Sequence, residues 1–346
     1  MMFPDDFQDP DDHLWDQAER AAVEAWDWYE KGQMQQAMEK LAEALELNPA
    51  NGACYFNMGL TLDAMERYEE AIGYYTRARE IGGEDVEILN ALAVDFTRTC
   101  EYERALTLFE KIETMDPTYE PGYCNRIITY TELEQHEKAE QMFYLAQQIH
   151  ADCPICFYNI GNSLFSRGQY DRAVWCWERT AALDPQHPQI HYRIAQACWA
   201  AGRKEQATEA FLKELRGDPG NVEVLLDFGI FLLETGRIES AGEKFNRILE
   251  LDPEFAPAFF YKGETLLHLE REGEAECCYR QAVETDRKLK GPRFRLAQLC
   301  ARSGRTEEAI RYLNLEIAAD PDDPDVLLAM AWTGAQLGQL ESACRC

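Results

Sequence analysis

Alanine recurs every 34 residues along this chain. It stands at Ala37, Ala71, Ala105, Ala139, Ala173, Ala207, Ala241, Ala275, Ala309 and Ala343, with no insertion or deletion between any two. A register this strict across 346 residues excludes a single central core. It requires one small structural unit stacked end to end, each contacting its neighbours. The units start at Ala18, Gly52, Val86, Glu120, Pro154, Pro188, Val222, Ala256, Lys290 and Pro324, the tenth stopping at Cys346. The stretch from Pro154 to His187 shows what one unit contains. Phe157, Ile160, Gly161 and Leu164 fall at i, i+3, i+4 and i+7, the period of one helix face. Gly168 breaks that pattern. A second helical pattern follows through Tyr170, Ala173 and Trp177, and Pro185 stops it, because proline cannot continue a helix and disfavours helical geometry in the residue before it.

Three further positions repeat. The small residue of the first helix reads Ala25, Gly59, Ala93, Ile127, Gly161, Ala195, Gly229, Gly263, Ala297 and Ala331. With the invariant alanine it marks where the two helices of a unit approach closest, so a larger side chain there is expected to cost about 1–3 kcal/mol in overpacking. Four residues after the alanine comes a bulky side chain: Leu41, Tyr75, Phe109, Phe143, Trp177, Phe211, Phe245, Tyr279 and Leu313. These are expected to fill the gap towards the next unit. Proline closes the second helix at Pro49, Pro117, Pro185, Pro219, Pro253 and Pro321, while Gly83, Ala151 and Arg287 replace it elsewhere.

The order Phe157, Ile160, Gly161, Leu164, then Ala173, Trp177 and Pro185 resembles the tetratricopeptide repeat (TPR) signature W-x2-L-G-x2-Y, A-x3-F, P. The resemblance runs from about residue 18 to 346. It implies an all-α fold, a right-handed α-α superhelix in which the first helix of each pair lines a concave groove and the second faces outward. It also implies a non-enzymatic scaffold or adaptor that binds proteins or peptides. Residues 1–17 are read as an acidic tail and helix start, with Asp11 or Asp12 capping a helix that begins near Leu14. Two departures stand out. The fourth repeat carries Arg126 and Ile127 at the usual Leu-Gly pair and lacks the closing proline, so local widening or a hinge is expected there. The tenth has an apolar first helix (Val326, Leu327, Leu328, Met330, Trp332) and stops early. A terminal repeat needs a polar outer face, so either the natural chain continues or this end packs on a partner or on another copy. Homo-oligomerisation through it, or through the tail, is the alternative function.

If helix positions 4, 7, 8 and 11 form the core, positions 2, 5, 6, 9, 12 and 13 face the groove. The groove candidates are Phe56, Asn57, Asn90, Asn125, Tyr158, Asn159, Asn162, Phe165, Tyr192, Arg193, Gln196 and Trp199. Asn57, Asn125 and Asn159 share position six. An amide offers both a donor and an acceptor to a peptide bond, so a ladder of them can hold an extended backbone of any sequence. The resemblance is to TPR grooves that grip segments this way, with aromatics supplying pockets. Asn159 and Tyr192 are expected to be exposed on this face. The carboxylate clamp of other TPR grooves is not matched: Asn159 and Arg193 fit it, but Cys124, Ile128 and Gln189 do not.

Net charge is −29, from 63 acidic against 34 basic residues. Phosphate binding needs clustered Lys and Arg, which argues against nucleic acid and anionic membrane and leaves neutral or basic proteins as partners. No apolar run reaches membrane-spanning length, and the N-terminus has no signal-peptide pattern. The 12 cysteines are therefore read as reduced thiols in a cytoplasmic protein. His150, Cys153 and Cys156 give three of the four ligands a zinc site needs, but no fourth is dictated, so the reading is no metal and no cofactor. No catalytic motif is found.

Overall fold

The computed structural model describes residues 10–318 and the helical positions 324, 327 and 328. Apart from those three positions, the expected apolar tenth repeat lies outside these residues, as does the tail before Pro10, and with them the oligomerisation surfaces. Among the described residues there are eighteen helices and no strand, paired into nine antiparallel hairpins.

The first of two compact units ends at His187. It holds α1 (Pro10–Glu30) with α2 (Met34–Leu47), α3 (Gly52–Ala64) with α4 (Tyr68–Gly82), α5 (Val86–Arg98) with α6 (Tyr102–Met115), α7 (Glu120–Glu132) with α8 (His136–Ile149), and α9 (Pro154–Ser166) with α10 (Tyr170–Leu183). The second starts at Pro188. It holds α11 (Ile190–Ala200) with α12 (Lys204–Gly217), α13 (Val222–Glu234) with α14 (Ile238–Leu251), α15 (Ala256–His268) with α16 (Glu272–Thr285), and α17 (Pro292–Arg302) with α18 (Thr306–Ile317). Helix α1 begins four residues before Leu14. Proline suits a first helical position, and the expected capping positions 11 and 12 fall inside the helix rather than before it.

All nine hairpins turn on the same repeat position, where the backbone is left-handed with φ between 56° and 80°. Glycine occupies it in five and Glu66, Cys100, Glu134 and Glu270 in four. Most second helices stop on Asx turns. Asp116, Asp184, Asp218, Asp252 and Asp286 each accept the N–H two residues on, from Thr118, Gln186, Gly220, Glu254 and Lys288.

The nine repeated alanines from Ala37 to Ala309 have no accessible surface. The bulky residue four later reaches the next repeat as expected, Phe211 stacking on Phe228 at 4.9 Å and Phe245 on Tyr261 at 5.7 Å between ring centres, and it also lies on the small residue of its own hairpin. A Cβ added at Gly59, Gly161, Gly229 or Gly263 would come within 2.4–2.5 Å of the ring of Tyr75, Trp177, Phe245 or Tyr279. The glycines thus leave room for flat rings. In the fourth repeat Ile127 is fully buried in that space, and Phe143 is left half-buried, its ring turned edge-on to Phe157 at 5.4 Å. A hollow of about 400 Å³ opens beside it, lined by Phe143, Tyr144, Ile160, Leu164 and Trp175. The neighbouring Arg126 is also buried, its guanidinium on Glu113 at 2.9 Å and over the ring of Tyr130. The Arg126–Ile127 departure therefore has a local consequence, the displaced ring and its hollow.

Candidate functional site

The first helices of the hairpins carry the groove positions, and consecutive first helices exchange bonds across them. In the first unit Asn125 donates from its amide to Asn90 Oδ1 at 3.0 Å, and Asn159 to the carbonyl of Cys124 at 2.9 Å. In the second, Tyr192 donates to Asp227 at 2.7 Å, Gln196 to the same carboxylate at 3.2 Å, and Trp199 to Glu234 at 2.9 Å. The separations are 35 or 31 residues, one repeat with a small offset, which places these side chains on the seam between neighbouring first helices.

The expectation of exposure at Asn159 and Tyr192 fails. They are 5% and 3% accessible, because Asn159 is engaged by the preceding first helix α7 and Tyr192 by the following one, α13. Asn159 spends its donor on the backbone. The Tyr192 hydroxyl is pushed far above its ordinary range by burial and by its bond to Asp227. Cys124, another groove position, is buried as well. Phe56, Asn57, Asn90, Asn125, Tyr158, Asn162 and Phe165 in the first unit, and Arg193, Gln196 and Trp199 in the second, remain half-buried. Tyr158 packs on His187 at 4.4 Å between ring centres, and Phe165 on Trp177 at 5.7 Å. The amides of Asn57 and Asn162 are not spent on any neighbour among the described residues.

The first unit also holds a charged triad. Arg98 bridges Asp63 on α3 and Asp95 on its own helix, the latter at 3.2 Å. Asp95 is 1% accessible and its Oδ2 has no partner. Burial, and then the charge of Asp63, push its carboxyl up to about 7 against the opposing pull of Arg98. A carboxyl raised on folding binds its proton more tightly in the folded chain, so its ionisation weakens the fold as pH rises from about 4 to about 7. Asp95→Asn removes this titration. The stability of the variant relative to wild type is expected to increase by more than about 1 kcal/mol between pH 4 and pH 7.5, read from urea unfolding at a series of pH values. A difference that stays flat would show Asp95 ionised throughout.

Of the three candidate metal ligands, His150 is exposed at the end of α8. Cys153 caps α9, and burial and a bond to Glu120 push its thiol up to about 11. Cys156 is joined to Cys124 in a disulfide, against the expectation of reduced thiols throughout. The structure brings these two together with Glu120 and Cys124 rather than with His150. A cysteine and a glutamate four apart on a neighbouring repeat gave no sequence signal of their own.

No described helix is long and apolar enough to cross a membrane. Family models described as tetratricopeptide repeat match residues 29–94, 158–222, 226–290 and 290–345. Protein IFIT1 homolog B of Homo sapiens is 32% identical over 114 residues, 33% of this chain and 21% of that protein. The match thus takes in about a fifth of that relative's length. Among solved structures, the C-terminal part of a TPR repeat-containing protein from Cytophaga hutchinsonii superposes with a TM-score of 0.59 at 17% identity, covering 70% of this chain and 99% of that one. A tetratricopeptide repeat protein from Parabacteroides merdae gives 0.55 at 20% identity, covering 72% and 99%.

Proposed function

The chain belongs to the tetratricopeptide repeat family, whose members are typically non-enzymatic interaction scaffolds, and from that premise we propose that it is a cytoplasmic adaptor whose first unit holds an extended segment of a partner protein. The segment lies along the first helices α3, α5, α7 and α9. Asn57, Asn125 and Asn162 address its backbone, and Phe56, Tyr158 and Phe165 take its side chains. The observation that carries this reading is the mixture on that face of half-buried aromatics with amides that retain donors and acceptors. Asn57 and Asn162 spend none on their neighbours, and Asn90 and Asn125 spend one bond between them. Groups of this kind bind a peptide backbone without selecting its sequence, and rigid aromatics add most of the affinity. The charge of −29 and the Asp63–Asp95–Arg98 triad favour a neutral or basic segment over a nucleic acid. Asn159 supports the face from beneath. In the second unit, Gln196 and Trp199 give their donors to acidic neighbours.

A displayed library of unstructured peptides tests the reading. Wild type is expected to enrich a family of peptides, and Asn125→Ala with Asn162→Ala is expected to weaken them at least tenfold with unchanged helix content. Equal affinity for the double variant would remove this face as the binding site.

A further inference from the structure

Four potential ligands converge between the fourth and fifth repeats. Glu120 and Cys124 sit four residues apart on one face of α7. Cys153 and Cys156 come from the start of α9, where Cys153 is the capping residue and the Cys156 N–H points at its sulfur, 3.4 Å away. One donor atom from each lies within 4.8 Å of every other. The three cysteines are 2%, 3% and 0% accessible.

The disulfide between Cys124 and Cys156 accounts for only part of this arrangement. Cys153 Sγ lies 3.7 Å from Cys124 Sγ and has no place in that bond. Glu120 Oε1 lies 2.7 Å from Cys124 Sγ and 3.1 Å from Cys156 Sγ. A disulfide sulfur carries no proton, so it offers a carboxylate oxygen at this range nothing to bind. A cation between the sulfurs and the carboxylate would engage all four groups.

We propose that, in the thiol form, Glu120, Cys124, Cys153 and Cys156 bind one zinc ion that pins α7 to α9. Zinc takes thiolates at about 2.3 Å and carboxylate oxygens at about 2.0–2.2 Å in a tetrahedron, which sets its edges near 3.8 Å between sulfurs and near 3.5 Å between sulfur and oxygen. The Cys124–Cys153 edge already has that length. The Cys124 and Cys156 sulfurs must separate, since they cannot bond each other and the metal together, and the Glu120 oxygen must draw back from both. Thiolates select zinc over the hard cations that carboxylates alone would hold. The Cys156 N–H already directed at Cys153 Sγ is the kind of donor a metal-bound thiolate accepts. With four protein ligands no position is open to substrate, so the ion is structural. Within the first unit α7 packs on α9 more extensively than any other two successive first helices pack, and Asn159 ties the same two helices beside the site. The ion thus rigidifies the repeat pair around the displaced Phe143, where the packing is irregular.

The test uses the full chain, purified with a phosphine reductant and without chelators. One zinc per chain is expected to survive gel filtration. Replacement by cobalt is expected to produce thiolate-to-cobalt charge-transfer absorption. Cys153→Ser should lose the ion, and Glu120→Gln, which keeps the shape of the side chain, should weaken zinc at least tenfold. Helix content by circular dichroism should match that of chelator-treated wild type in both. Should Cys153→Ser fail to fold, the cobalt spectrum of wild type and the Glu120→Gln titration still decide. Reduced wild type that binds neither metal overturns the proposal, and so does zinc held equally by Cys153→Ser.

Discussion

Trp177→Ala lowers the stability of the first unit by about 3–5 kcal/mol, the range for deleting a large aromatic from a packed core. Trp177 is among the largest fully buried side chains, and its indole N–H donates to the Tyr158 carbonyl at 3.2 Å. The informative result comes from the residue beneath it. A Cβ built at Gly161 would stand 2.4 Å from Nε1 and 2.7 Å from Cδ1 of the indole. Gly161→Ala alone is therefore expected to cost about 1–3 kcal/mol by overpacking, although alanine is otherwise the better helix former. Trp177→Leu alone is expected to cost about 2–4 kcal/mol, because it leaves a void. Together the two changes reproduce the Ala25–Leu41 combination of the first repeat, where both residues are 1% accessible. The double variant is expected to be more stable than the sum of the single effects predicts, by about 1 kcal/mol or more. Urea unfolding of the four proteins measures this coupling. Additivity within about 0.5 kcal/mol would mean that the ring does not rest on the glycine.

The same pair of positions shows what the sequence could and could not convey. A 34-residue register of alanine is visible without any coordinates, because every hairpin meets the same steric limit at the same place. The all-α hairpin architecture follows from it. That the bulky residue reaches the next repeat was legible, as the stacking of Phe211 on Phe228 shows. That it also covers the small residue of its own hairpin was not, and only the match of small to flat across sixteen residues, Gly161 under Trp177, conveys it. The groove face was legible by position but not by exposure. Helix periodicity says which residues leave the core of one hairpin. It does not say that a neighbouring first helix engages some of them, as α7 engages Asn159 and α13 engages Tyr192. The four-ligand cluster was half legible. Cys153 and Cys156 form a local pattern, whereas Glu120 and Cys124 reach it through the stacking of repeats, and His150 falls away because the end of α8 turns it to solvent.

Glu316→Ala is expected to destabilise the α17–α18 hairpin by about 3–5 kcal/mol, the cost of leaving a buried charge without its counter-ion. The turn before α17 is the one in which Arg287 replaces the closing proline and the first helix starts at Pro292. Gly291 adopts φ +99° there, and its N–H donates to Glu316 Oε1 at 2.7 Å. Arg293 places one guanidinium nitrogen 3.5 Å from Glu316 Oε2 and gives another to the Arg287 carbonyl. The two side chains are 8% and 5% accessible, so water cannot replace either partner. The pair thus fastens an irregular turn that the usual proline would have stiffened. Removing both charges separates this fastening from the cost of an orphaned ion. Arg293→Met with Glu316→Leu removes the buried charges together, and a buried ion pair replaced by apolar groups is often neutral or stabilising. What remains is the unsatisfied Gly291 N–H, worth about 1–3 kcal/mol. The double variant is therefore expected to be more stable than Glu316→Ala, by a margin visible in the hydrogen-exchange protection of α17 and α18. Equal protection in wild type and Glu316→Ala would show that the turn holds without the pair. Protection lower in the double variant than in the single would show that the ionic contact itself, and not its unbalanced charge, carries the hairpin.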